Sequence, residues 1–415
     1  MSTTIPITDI LTSIKHTPRH ATVYYPQELE NSESELTGYL YGYFHKETNS
    51  FNVTLFVSEQ EYEPITAAKS LQEIGRIFSQ KPLENEAVFP ENADADNYVY
   101  AYRENGKLIF EAKSGYCKID ENGNKSFVTD SVKVCKTEPY SLKMDLFSRN
   151  TGILETDVML NKGVLVIGCG SVGSLVALEL ARAGVGRFLL IDDDILGYHN
   201  ICRHQCGIAD VGKYKTDAVK ERLLQINPKA VVELRHCQIQ EVPLEILNEF
   251  CNSNTIVIGG ADNREGDLYI NPIAIEIGMP FVAVGCWERA FVGEIFYWLP
   301  QKDMSDYKDF ITAIGGISGR TNQNTRFYTN EQELAKTIFE PGISADINFI
   351  SIIAVKLAID ILNQDNPNYV PRLLPHLTQY TLICNTNNEK IGGKQVEMFS
   401  YPLQVTTSIK IPHVS

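Results

Sequence analysis

Two kinds of hydrophobic pattern alternate along this chain. Through the middle, short apolar runs recur at Val164–Ile167, Arg187–Ile191 and Thr255–Ile258, and Val231–His236 reads as a further strand between the last two. Runs of this length, with no polar residue in every second place, predict strands buried on both faces of a parallel sheet. Helical spacing fills the gaps between them. Residues 171–183 run helically and stop at Gly184, and residues 216–224 carry Val219, Leu223 and Ile226 on one face before Asn227-Pro228 closes the pattern. Two more strands are expected at Pro280–Val284 and Phe291–Trp298, and a strongly apolar helix at Asp346–Leu362. Strand–helix alternation over 141–375 predicts an α/β domain with a mostly parallel sheet.

Before it, period-two alternation takes over. Leu40–Phe44 and Phe51–Phe56 predict a hairpin, and Tyr98–Arg103, Lys107–Ala112 and Ser126–Cys135 predict further strands, with turn signals at Asn105-Gly106 and Asn122-Gly123. One stripe, Ala68, Leu71, Ile74 and Phe78, has helical spacing and predicts a helix over 65–78. Residues 1–140 therefore read as a smaller α+β domain. Residues 376–415 read as a β-rich extension, with strands at Tyr380–Ile383 and Leu403–Ile411 and a Gly392-Gly393 turn. The polar, glycine-spotted tract 301–341 is too long for an ordinary connection.

Composition narrows the class. The 415 residues allow two or three domains, and 43% hydrophobic with 21% charged residues describes a water-soluble globular chain. A formal charge of -15 argues against nucleic-acid binding and against a polybasic membrane anchor. An uninterrupted apolar run long enough to span a bilayer is missing. The nine cysteines form no C-x-x-C pair and the opening residues lack a secretory pattern, so reduced thiols in a cytoplasmic protein are expected.

The chemistry gathers at residues 164–215. The first apolar run leads into Gly168-Cys169-Gly170-Ser171-Val172-Gly173, a G-x-G-x-x-G turn that opens a helix. Gly168 permits the tight turn, Gly170 lets backbone approach a phosphate, and Gly173 lets the helix pack close to the strand. The next strand ends in Asp192, Asp193 and Asp194, where an acid can accept hydrogen bonds from ribose hydroxyls. Together these features define a Rossmann-like nucleotide site, which suits NAD as well as ATP. The residues that follow favour the triphosphate: Asn200, Arg203, Lys213 and Lys215 set an amide, a guanidinium and two ammonium groups near the ribose acid. Asp262 ends a later strand on the crevice side.

This order resembles the adenylating domain shared by ThiF, MoeB and the ubiquitin-activating enzymes. Asp192-Asp-Asp194, Asn200-Ile-Cys-Arg203-His204 and Gly212-Lys-Tyr-Lys215 match the family's D-x-D, N-L-x-R-Q and G-x-x-K, with His204 where glutamine is usual. The resemblance covers about residues 149–362. It implies that Asp262 holds the Mg²⁺ bridging the ATP phosphates and that Asp194 fixes the ribose. Asp192 belongs to the same nucleotide set, Asn200 orients the phosphate chain, and the backbone of Gly170, Ser171 and Gly173 faces the phosphates. Arg203 and Lys215 neutralise the developing charge. Arg149, in a segment matching the family's R-Y-x-R-Q, reaches the partner subunit's site and so implies a homodimer; its other reading is a surface arginine at a helix start. The tract 301–341 resembles the crossover loop that drapes over the acceptor's tail.

The implied reaction joins the C-terminal carboxylate of a ubiquitin-like protein with an exposed tail to the α-phosphate of ATP and releases pyrophosphate. The implied setting is a bacterial conjugation pathway of the kind used in antiviral defence, with a conjugating (E2-like) partner. Ubiquitin-activating members then form a thioester. Between Asp262 and the last long helix, Cys286 is the cysteine available, and its apolar surroundings read equally as a packed position. Cys202 lies in the nucleotide segment and reads as structural. The paired C-x-x-C zinc site common among relatives is missing, so no structural zinc is expected. In the N-terminal domain, Glu35–Gly42 loosely resembles the opening strand of JAB-type isopeptidases, without their H-x-H metal motif; the other reading is an unrelated α+β module. Three alternatives stay open: a sulfur-carrier or peptide adenylyltransferase with no thioester step, an NAD-dependent oxidoreductase, and a non-catalytic tail-binding scaffold.

Overall fold

The computed structural model describes residues 22–30, 36–45, 48, 50–59, 72–83, 97–119, 121–123, 125–141, 146–261, 264–287, 290–300, 302–314 and 342–384. The chain divides into two compact units, residues 1–148 and 149–415.

The described part of the first unit is one eight-stranded sheet: β1 Thr22–Pro26, β2 Gly38–His45, β3 Ser50–Ser58, β4 Gln72–Phe78, β5 Asn97–Glu104, β6 Lys107–Ile119, β7 Lys125–Val134 and β8 Lys136–Tyr140. Its order is β7-β6-β5-β4-β2-β3-β1-β8. The β2–β3 hairpin and the β5–β6–β7 meander are antiparallel, while β4 runs parallel to β5, and β1 parallel to β3 and β8. The β5–β6 turn needs two left-handed residues, and Asn105 and Gly106 supply them at φ 53° and 77°. Val23, Leu40, Val53, Ile74, Ile77, Val99 and Phe110 form the core of one face.

The helix expected over 65–78 is overturned for 72–78, which is strand β4; residues 60–71 lie outside the described residues. The cause is a slip in phase. Pairing with β2 shifts between Leu40 and Tyr41, so that Leu40 faces Gly75 and Tyr41 faces Glu73. Ile74 is the extra residue of this bulge. Ile74 and Ile77, three apart, therefore both face the core and imitate helical spacing.

The second unit is a three-layer α/β sandwich. In chain order it contains α1 Thr156–Leu160, β9 Gly163–Ile167, α2 Ser171–Arg182, β10 Arg187–Ile191, α3 Lys215–Ile226, β11 Val231–Arg235, α4 Leu244–Phe250, β12 Thr255–Gly259, α5 Glu265–Ile277, β13 Phe281–Trp287, β14 Val292–Trp298, α6 Tyr307–Ile314, α7 Ser344–Leu362 and β15 Tyr380–Cys384. The sheet order is β11-β10-β9-β12-β13-β14-β15; β9 to β13 are mutually parallel, and β14 and β15 add an antiparallel edge. Alternate residues of each central strand enter the two cores. Val164, Val166 and Leu190 pack with α2, α3 and α7, whereas Leu165, Ile167 and Leu189 pack with α4, α5 and α6.

From β9 the chain steps to β10 on one side, then later to β12 on the other. This reversal leaves a crevice outside the carboxyl ends of β9 and β12, where such sheets bind ligands.

Part of the expected 301–341 loop is helical. Asp306 caps α6 by accepting the Asp309 N–H at 2.6 Å, and Tyr307 and Phe310 pack on Phe281 and Phe296. Residues 315–341 and the expected strand at 403–411 lie outside the described residues. Past α7, the fully buried Asp360 gathers the following turn: it accepts the Tyr369 hydroxyl and the backbone N–H groups of Arg372, Leu373 and Leu374 at 2.5–2.9 Å. Among the described residues, no helix is long and apolar enough to cross a membrane.

Candidate functional site

At the end of β9 the chain reverses at Gly168, whose φ of 82° an L side chain rarely adopts. A Cβ here would also lie 2.9 Å from the Ala261 backbone. Gly173, in the first turn of α2, sits against the Gly168 carbonyl, where a Cβ would come within 1.8 Å of the oxygen. These two glycines let the turn and helix close on each other. At Gly170 the geometry differs: an added Cβ would meet nothing within 4 Å. Gly170 therefore borders open space at the amino end of the twelve-residue α2, of which it is the N-cap. First-turn N–H groups and the helix dipole make such an end a fit for a phosphate. Ser171 is the first residue of that helix.

The three acids after β10 have separate tasks. Asp192 accepts the Cys169 N–H at 2.6 Å and the Asp194 N–H at 2.8 Å, so it braces the glycine turn from beneath. Burial pushes its carboxyl up, while Lys215 and these two N–H donors pull the other way. Asp193 takes a bond from Gln238 at 3.3 Å. Asp194 is exposed and pairs with the Lys215 ammonium at 2.6 Å. The strand bridge between Ile195 and Tyr214 and the Lys215 N–H to Asp194 carbonyl bond bring that lysine back to the acid strand. Lys213 turns elsewhere, to Asp210 at 3.0 Å and Glu221 at 2.5 Å.

Asn200 closes the turn between them: its side-chain oxygen accepts the Gly197 N–H at 2.9 Å and its carbonyl accepts the N–H groups of Arg203 and His204. Arg203 is half-buried on this turn. His204, 8% exposed, lies with Nε2 2.8 Å from the Cys169 carbonyl and accepts the Cys206 N–H on Nδ1 at 3.0 Å. The 200–206 segment is thus tied directly to the glycine turn.

Arg149 stands apart. It is exposed on a single 3-10 turn, Ser148–Asn150, and the neighbouring Asn150 side chain donates to the Arg182 carbonyl at 2.9 Å. That contact is at the carboxyl end of α2, about 18 Å along the helix from the glycine turn at 1.5 Å per residue. Asp262 lies outside the described residues, as does Asn263. Cys286, half-buried, is the sixth residue of β13 and pairs with Gly293 of β14. With Val282 and Val284 it alternates onto the face packed with α2 and α7.

Two features escape the sequence reading. One is the tie made by His204, which spans 35 residues and leaves no local signal. The other is a buried group at the carboxyl end of β13, where Glu294 accepts Arg264 at 2.6 Å and the Tyr380 hydroxyl at 2.8 Å. It borders a cleft beside Ala261 that Gly285, Tyr307 and Phe310 also line. Here a signal existed, since Glu294 is a charge inside the apolar run of β14.

The ThiF family model matches residues 140–389. The probable adenylyltransferase/sulfurtransferase MoeZ of Mycobacterium tuberculosis is 32% identical over 123 residues, which is 29% of this chain and 31% of MoeZ. Ubiquitin-like modifier-activating enzyme 5 of Dictyostelium discoideum is 30% identical over 180 residues, 41% of this chain and 47% of that protein. The chain thus spans less than half the length of these curated relatives. Among solved structures, E. coli MccB with ATP aligns with a TM-score of 0.40 at 19% identity, covering 55% of this chain and 65% of MccB. PaaA aligns at 0.45 and 18% identity, covering 59% and 80%.

Proposed function

The chain belongs to the ThiF family, and from that premise we propose that it adenylates the C-terminal carboxylate of a ubiquitin-like protein. A carboxylate oxygen of the acceptor attacks the α-phosphorus of ATP, the α–β bridging bond breaks, and pyrophosphate leaves. The observation that carries this reading is the join between the two halves of a nucleotide site. The open amino end of α2 at Gly170 offers backbone donors to phosphates, and Asp192, which holds the N–H groups of both Cys169 and Asp194, links that turn to the exposed Asp194, suited to ribose hydroxyls.

The acceptor carboxylate is a weak nucleophile, so the work falls on positioning and on charge. The N–H groups of Gly170, Ser171 and Gly173 face the phosphates. Lys215, next to the ribose acid, and Arg203, on the tied 200–206 segment, balance the negative charge that builds on the leaving pyrophosphate. Asp262 would hold Mg²⁺, which would supply charge neutralisation to the triphosphate. Arg149 is far along α2 from its own chain's glycine turn, which favours its acting on the site of a second copy in a homodimer. The wider setting is the activating step of a bacterial conjugation pathway with an E2-like partner.

The position of Cys286 favours a second reading of the later steps. Its thiol is half-buried and packed with Val282 and Val284, which suits adenylation of a sulfur carrier or peptide with no thioester.

ATP–pyrophosphate exchange with Mg²⁺, measured with tailed small proteins supplied one at a time, tests the proposal. Exchange that needs one such protein with its tail intact and disappears in Asp262→Ala is the expected result. Normal ATP binding with no exchange for any acceptor overturns it in favour of a tail-binding scaffold. Binding of NAD with no binding of ATP overturns it in favour of an oxidoreductase.

A further inference from the structure

His204 reaches both parts of the site that nucleotide binding needs together. An N–H can only donate and a carbonyl can only accept, so its two contacts assign both ring nitrogens. Nδ1 accepts from Cys206 and carries no proton, whereas Nε2 carries the proton and donates to the Cys169 carbonyl. That carbonyl shares a planar trans peptide with the Gly170 N–H, and the two point in opposite directions. Aiming the carbonyl at His204 therefore aims the Gly170 N–H away from it. On the other side of the same residue, Asp192 holds the Cys169 N–H. The peptide units on both sides of Cys169 are thus fixed by side chains.

We infer that His204, in its neutral form, is a positioning residue that aims the Gly170 N–H at bound phosphate and ties the glycine turn to the Arg203 segment. Nucleotide binding is consequently lost when this imidazole takes up a second proton. The inference rests on the nucleotide reading proposed above. A proton on Nδ1 would set one buried donor against another, the Cys206 N–H, and break the tie.

The groups facing the ring pull both ways, and burial decides the direction. Burial holds His204 below the usual imidazole range; the bond to the Cys169 carbonyl opposes this, Lys215 at the start of α3 adds to it, and Asp210 on its own segment opposes it. The thiols of Cys169 and Cys206 stay protonated, since burial pushes both up, Cys206 to about 12. With its value lowered by folding, the stabilising contribution of the neutral ring is present above the ordinary imidazole value of about 6.5 and is lost as pH falls through the lowered one.

The test compares the full chain with His204→Ala and His204→Gln, titrating ATP with Mg²⁺ by calorimetry from pH 8 to pH 5.5. A glutamine amide keeps one donor and one acceptor and does not titrate over this range. His204→Ala should weaken ATP binding by about tenfold at pH 8, the effect of one lost buried hydrogen bond. His204→Gln should bind close to the parent at pH 8 and lack the parent's acid-side loss beyond that of ATP itself. A glutamine variant that keeps the parent's pH profile, or an alanine variant that binds ATP like the parent, overturns the inference. Nitrogen-15 spectra of the histidine rings give a readout that needs no nucleotide. The ring absent from His204→Gln should be the neutral Nε2–H tautomer at pH 8; an Nδ1–H tautomer or a protonated ring at that pH overturns the inference. If the ring is locked but the parent binds no ATP at any pH, the nucleotide reading falls and the tie between turn and segment stands.

Discussion

In the sheet of the first unit, Glu111 on β6 is 6% exposed, accepts the hydroxyls of Tyr100 and Tyr102, and has Lys81 at 3.5 Å. At the end of β10 in the second unit, Asp194 is exposed and meets Lys215 at 2.6 Å. Both are carboxylates beside an ammonium, yet their surroundings set them to different work. Glu111 takes the hydroxyls of two tyrosines whose rings stack on each other, with Lys113 over the Tyr100 face, so its contacts hold the sheet together. Asp194 keeps its oxygens toward water, where a ligand hydroxyl can replace a solvent molecule at little cost. A buried acid with every oxygen engaged is committed to the fold, whereas an exposed one keeps acceptor capacity that a ligand could use.

The largest expected effect breaks the first half of this contrast. Glu111→Ala leaves two tyrosine hydroxyls and Lys81 without their carboxylate and should cost about 3 kcal/mol. Hydrogen exchange of the full chain should show the loss on peptides from β5 and β6, with β9, β10 and ATP affinity unchanged. Acid should act on the same residue. Burial pushes the Glu111 carboxyl up, but the bonds from Tyr100 and Tyr102 and the charge of Lys81 bring it below the usual range. A depressed value means stability that is complete above about pH 4.3, the ordinary glutamate value, and is lost as pH falls through the lowered one. Glu111→Gln should flatten that part of the unfolding profile.

Next in size is Gly173→Ala. Its Cβ would sit 1.8 Å from a backbone oxygen rather than from a side chain that could turn away. The clash should cost about 2–3 kcal/mol in the second unit and also remove ATP binding, seen as a lower melting temperature and a flat calorimetric titration. Gly170→Ala, with open space around it, should leave the fold intact and weaken ATP alone.

These glycines were legible in the sequence because their constraint is local, and so were the central parallel strands, because burial on both faces leaves unbroken apolar runs such as Val164–Ile167 and Thr255–Ile258. Strand β4 was not legible, since the bulge at Ile74 shifts its alternation and only the pairing with β2 reveals it. The acids read as one set, but the sequence could not separate Asp192, which braces Cys169, from Asp194, which faces outward; their difference lies in where the glycine turn's N–H groups point. His204 was visible only as a departure from a pattern, and its partner is a carbonyl from another element.

A smaller effect sharpens the second half of the contrast. Asp194→Asn should change stability by less than about 1 kcal/mol, as for an exposed pair, while weakening ATP by about tenfold through the lost ribose acceptor. Equal loss in both quantities would make Asp194 a structural acid like Glu111.

The smallest effect distinguishes two lysines separated by one residue. Lys213 lies between Asp210 on its own loop and Glu221 on α3, and Lys215 points to Asp194 at the crevice. Both carboxylate partners of Lys213 belong to the segment that returns the chain to α3, so its bonds shape that return and do not face the nucleotide. Partial exposure screens them, and Lys213→Ala should cost about 0.5 kcal/mol with ATP affinity unchanged. Lys215→Ala should do the reverse, lowering ATP affinity with a similar melting temperature. If Lys213→Ala weakened ATP as much as Lys215→Ala, the two ammonium groups would act as one electrostatic field, and the assignment of Lys215 alone to the phosphates would fail.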